Sequence, residues 1–94
     1  MRLSNKREVA RVLGVAAHPL RLDLLEAFSV GTVRSPTEAA LLLGEPLGNV
    51  RHHVRLLESE GFLEGLAEGS TQSLSGYRAT ARARELVETL AALA

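Results

Sequence analysis

The sequence predicts a mainly helical fold completed by one small β-hairpin, in a single domain spanning 1–94. Three observations lead there. Apolar residues recur at helical spacing through most of the chain. That period breaks after Gly61, where two short apolar runs flank a polar loop. With 94 residues there is material for one hydrophobic core and not for two.

The elements follow in order. Asn5 and Glu8 have the spacing of a capping box, and Val9, Val12 and Leu13 share a side, so a first helix is expected over 5–13. A second begins at His18-Pro19, because proline suits the first helical position, where its missing N–H has no partner to lose. Leu20, Leu24, Leu25 and Phe28 give it a buried stripe, and Gly31 stops it. The third has the clearest start, Ser35-Pro36-Thr37-Glu38, with a capping serine, a proline in the first turn and the glutamate that completes the box. It ends at Gly44, which takes a left-handed backbone at little cost. A fourth follows almost at once over 46–60, with Leu47, Val50, Val54 and Leu57 on one face. Two helices so closely joined, over 35–60, form a helix-turn-helix unit. Phe62 to Ala67 and Leu74 to Thr80 read as hairpin strands across a loop that contains Gly69, Ser70, Thr71 and Gln72. Thr80 can cap a last helix over 81–93, striped by Ala83, Leu86, Val87, Leu90 and Ala91. Three core helices and a hairpin over 62–80 make a winged helix-turn-helix, with an extra helix at each end.

Composition narrows the function. Apolar residues are 46% and charged residues 23%, a globular balance. No apolar run approaches the roughly 20 residues of a membrane span, and Met1 to Arg7 lacks a signal-peptide pattern. A cytoplasmic protein is expected. The absence of cysteine excludes disulfides and thiolate chemistry. Net charge is zero but unevenly laid out. Residues 1–22 carry a net +4, residues 23–68 a net −5, and residues 69–94 a net +1.

The order and spacing of four stretches resemble the ArsR/SmtB-like winged-helix repressors, over about Ala17 to Thr80. They are His18 to Leu25, Ser35 to Ala40, Leu47-Gly48-Asn49-Val50-Arg51-His52-His53-Val54-Arg55-Leu56-Leu57, and Gly61-Phe62-Leu63-Glu64. The resemblance implies a homodimeric transcriptional regulator whose fourth helix enters the major groove of double-stranded DNA. The residues agree. If Leu47, Val50, Val54 and Leu57 face inward, then Gly48, Asn49, Arg51, His52 and Arg55 face outward. Arginine can pair with guanine O6 and N7 through two donors, and asparagine can do the same for adenine N6 and N7. Arg34, Ser35 and Thr37 at the preceding helix start, and Ser70, Thr71 and Gln72 in the wing, complete the expected contact set. Pro46 stands where the family commonly has a capping hydroxyl residue, and Arg51 where a small hydroxyl residue is common.

Metal sensing, familiar in that family, is not expected here. There is no cysteine, the last helix has no histidine, and His52 and His53 point about 100° apart. His53 is expected packed or against a phosphate, and His18 capping or packing. No nucleophile system or phosphate loop is visible, so neither an enzyme nor a cofactor is expected. Val9, Val12 and Leu13 with Leu86, Val87 and Leu90 are expected to build the dimer. The competing reading is a winged-helix module that binds protein through its acidic segment. Whether an effector exists is not legible.

Overall fold

The computed structural model describes residues 18–67 and 74–93. Its elements are α1 (Pro19–Ser29), α2 (Pro36–Leu43), α3 (Leu47–Ser59), β1 (Leu63–Ala67), β2 (Leu74–Ala79) and α4 (Ala81–Leu93). The fold is mainly helical with one antiparallel hairpin, as the change of period implies. The helix expected over 5–13, and with it Val9, Val12 and Leu13, lies outside the described residues, as do Ser70, Thr71 and Gln72.

Local chemistry sets the boundaries. The Leu20 amide donates to His18 Nδ1 at 3.2 Å, with Pro19 at the first helical position. Ser35 Oγ accepts from the Glu38 amide at 3.1 Å and caps α2. The Glu38 carboxylate accepts from the Arg34 amide and the Ser35 hydroxyl, so the box closes one residue further back than its usual form. Gly44 ends α2 at φ 65°, a left-handed backbone that releases the chain straight into α3. Pro46 precedes α3 and makes no side-chain cap.

The core gathers one face from every helix. Leu24, Leu25 and Phe28 of α1, Ala39 of α2, Val50, Val54 and Leu57 of α3, and Ala83 and Leu86 of α4 enclose Phe62 and Leu63 at the hairpin root. A Leu or Phe buried to this degree contributes about 1.5–3 kcal/mol from water exclusion. Helix α2 buries only its alanines. Leu41 and Leu42 stand outward, and Val30 is exposed after the end of α1.

The hairpin is tied in at both ends. Leu63 pairs with Ala79 and Leu66 with Gly76, and the register slips between Leu66 and Ala67. Thr80 Oγ1 donates to the Gly61 carbonyl at 2.7 Å and accepts from the Ala83 amide at 3.3 Å, joining the turn after α3 to the start of α4. The Tyr77 amide donates to the Arg34 carbonyl at 2.7 Å, so the chain ahead of α2 lies along the outer edge of β2. Gly76 makes that approach feasible. Its φ is +153°, and a Cβ there would sit 2.4 Å from the Arg34 carbonyl oxygen.

Candidate nucleic-acid interface

Helix α3 carries the site. At about 100° per residue, Val50, His53, Val54 and Leu57 converge on one side, and all four are buried. The core thereby fixes the rotation of the helix about its axis. Gly48, Arg51, His52, Arg55 and Ser59 fall on the opposite side and are exposed. Asn49 is exposed on the flank of that stripe. The outward rows thus present two guanidinium groups, an imidazole and a carboxamide, with Glu58 at the far end. A Cβ placed at Gly48 would meet open space, with nothing within 4 Å.

Helices α2 and α3 pack together. Arg34 and Thr37 are exposed. Ser35 is half-buried, and its hydroxyl both accepts from the Glu38 amide and donates to the Glu38 carboxylate. Any phosphate contact from Ser35 must therefore compete with the cap of α2. In the hairpin, Arg78 is ion-paired with Glu64, which neutralises the outer face of the described strands.

Two features of the site were not legible in the sequence. Arg21 of α1 donates from Nε to His53 Nδ1 at 3.1 Å, bracing α3 from its inward side. The His18 ring lies 4.6 Å from the His53 ring. Burial holds the His53 imidazole below its ordinary pKa, with His18, Arg21 and His52 acting the same way and Glu45 opposing. Tyr77 on β2 is half-buried, and burial raises its phenol, with Glu58 adding to the rise and Arg55 opposing it. The only sequence signal for the first feature was the coexistence of two histidines on α3 and one at the α1 cap, which spacing alone does not bring together.

The expected interface between copies needs a correction at Leu86. That side chain is 2% exposed and lies within the core of its own chain, so it has no surface to offer a second copy. Its stripe partners Val87 and Leu90 are half-buried. With Leu22, Glu26 and Ala91 they line an open groove of about 270 Å³ between α1 and α4. Among the described residues no cluster of three or more metal-ligating side chains occurs, and no helix is long and apolar enough to cross a membrane.

Comparison with known proteins places this geometry. The helix-turn-helix domain family matches residues 16–65, just over half of the sequence. Among curated proteins none matches the chain. A transcriptional regulator of Thermotoga maritima superposes with a TM-score of 0.74 at 24% identity, over 92% of this chain. This chain spans 59% of that protein's length. The transcriptional repressor BigR of Xylella fastidiosa gives a TM-score of 0.73 at 27% identity, covering 93% of this chain and 83% of that one. A homodimeric winged helix-turn-helix DNA-binding domain of Mycobacterium bovis, from a possible ArsR-family transcriptional regulator, gives 0.74 at 24% identity, over 99% and 89%.

Proposed function

The chain belongs to the helix-turn-helix domain family, and on that premise we propose that it is a sequence-specific DNA-binding transcriptional regulator of the ArsR-like kind, acting as a repressor and as a homodimer in the cytoplasm. The observation that carries this reading is the outward face of α3. Its rotation is fixed by four buried residues, and its exposed rows hold Gly48, Asn49, Arg51, His52 and Arg55. In this reading Arg51, Arg55 and Asn49 read base edges or phosphates in the major groove, while Arg34, Thr37 and, less freely, Ser35 hold the flanking backbone. Ser70, Thr71 and Gln72 reach the duplex from the wing, and the whole of 1–94 is one domain.

The dimer follows from the need for enough contacts in a chain of zero net charge. Three arginines per copy, Arg34, Arg51 and Arg55, give six across two copies. Six phosphate contacts lose about a thousandfold in affinity between roughly 50 and 200 mM salt. Val87 and Leu90, together with Val9, Val12 and Leu13, form the surface between copies. The BigR repressor and the homodimeric Mycobacterium bovis domain support the repressor and dimer readings by likeness. Selection of bound duplexes from a random pool tests the proposal: a palindromic site with half-sites about one helical turn apart is expected.

A protein-binding module is the competing reading, favoured by the exposed Val30, Leu41 and Leu42. It gains if the purified protein fails to retard any duplex at low ionic strength.

A further inference from the structure

The His53 ring on the inward side of α3 meets both other histidines of the chain, His18 at 4.6 Å behind the helix and the outward-facing His52 at 5.4 Å. His53 is the buried polar side chain of the described core, 6% exposed, and it sits among Val50, Val54 and Leu57 on the inward side of α3. Its Nδ1 accepts the Arg21 Nε–H at 3.1 Å. The bond needs a bare Nδ1, so the neutral ring carries its proton on Nε2. The His18 ring packs 4.6 Å from that of His53 while its own Nδ1 accepts the Leu20 amide at the start of α1. One imidazole therefore joins the α1 start to the back of the helix that faces DNA.

We propose that Arg21, His18 and His53 form a proton-released latch between α1 and the recognition helix, which opens on acidification and weakens duplex binding. The inference rests on the DNA-binding reading above. A proton added at Nδ1 turns the acceptor into a donor that confronts the Arg21 Nε–H, so the bond is lost and two cations meet across a part-buried contact. The groups facing His53 are His18 from ahead of α1, Arg21 from α1, His52 from its own helix and Glu45 from the turn between α2 and α3. Of these only Glu45 favours a charged ring. Burial, the largest influence, opposes it too, so the latch is closed at neutral pH and strained below the ordinary value of 6.5. The direction is diagnostic. Phosphate attraction alone would tighten binding as acid adds positive charge to the protein.

The test is a pH series on the full chain from about pH 8 to about pH 5, read by histidine-ring nitrogen NMR, amide exchange and duplex affinity. A neutral His53 with its proton on Nε2 is expected at the alkaline end. Amide protection over 47–59 and duplex affinity should fall with the same midpoint as the ring, affinity by up to about tenfold per pH unit below it for each protomer's His53. His53→Asn keeps an oxygen acceptor near the Nδ1 position that does not titrate, and should abolish or reverse the acid loss. Arg21→Met keeps the imidazole and should move its midpoint upward, which keeps the test decisive if the asparagine variant fails to fold. Amide protection that is unchanged across the His53 midpoint overturns the latch, as does an unaltered acid loss in His53→Asn. Absence of duplex binding at every pH overturns the DNA reading instead, and the amide profile then decides the latch by itself.

Discussion

Replacing Gly76 with alanine should destabilise the fold through a single added methyl group. The glycine sits at φ +153°, where an L side chain is strained, and that strain alone costs about 1–3 kcal/mol. The new Cβ would lie 2.4 Å from the Arg34 carbonyl oxygen and 3.3 Å from its carbon. Both neighbours are backbone, so no side chain can swing aside. The strand edge must retreat, and the Tyr77 amide to Arg34 carbonyl bond of 2.7 Å goes with it, a further loss of about 1 kcal/mol. A total near 2–4 kcal/mol is expected. At about 4–8 °C per kcal/mol for a domain of this size, Tm should fall by roughly 10–25 °C. Thermal unfolding followed by far-ultraviolet circular dichroism, with urea melts to confirm an unchanged m-value, measures it. Gly48→Ala is the control. Its Cβ meets open space within the first turns of α3, so stability should rise by up to about 1 kcal/mol. A Gly76→Ala protein within about 0.5 kcal/mol of wild type would refute the close approach of β2 to the chain ahead of α2.

Other substitutions probe the remaining parts of the argument. Thr80→Val removes the hydroxyl that bonds the Gly61 carbonyl and caps α4, and should cost about 1–2 kcal/mol in a urea melt. Leu57→Ala hollows a fully buried position on α3 and should cost about 2–5 kcal/mol, whereas the exposed Leu42→Gln should stay within about 0.5 kcal/mol. Because the folded pKa of His53 lies below its unfolded value, the unfolded chain binds the extra proton first. Stability is then full above about pH 6.5 and declines as pH falls through the folded value, a loss that His53→Asn should flatten in pH-dependent urea melts. Leu90→Glu places a charge on a half-buried side chain of α4 that also packs against the core, and if the stripe joins two copies as proposed, sedimentation should show a shift towards monomer.

The parts of this structure that were legible in the sequence are those written in local chemistry. Ser35-Pro36-Thr37-Glu38 specifies a helix start whichever partner it packs against, and α2 begins there. Gly44 marks a stop because the backbone demands it. The spacing of Val50, Val54 and Leu57 fixed which side of α3 turns inward, and so which residues turn outward. What was hidden depends on chain segments that meet only in three dimensions. The pairing of Tyr77 with Arg34, and with it the need for glycine at 76, arises where β2 passes the entry to α2. The Arg21–His53 bond joins residues 32 apart in sequence. The stripe on α4 was legible as apolar, but the sequence does not say how deep each residue sits. Leu86 reaches the core, while Val87 and Leu90 stop half-way. An apolar stripe reports burial without naming the partner, which is why Leu86 read as a surface for a second copy.

The most direct test of the account is the affinity of the protein for a duplex selected from a random pool, measured by fluorescence anisotropy at about 50 and about 200 mM salt for wild type, Arg51→Ala and Arg55→Ala. The exposed face of α3 predicts that each substitution costs about 1–3 kcal/mol if the arginine reads a base, or flattens the salt slope by about one contact per copy if it holds a phosphate. Wild-type affinity and an unchanged slope in both variants would contradict it.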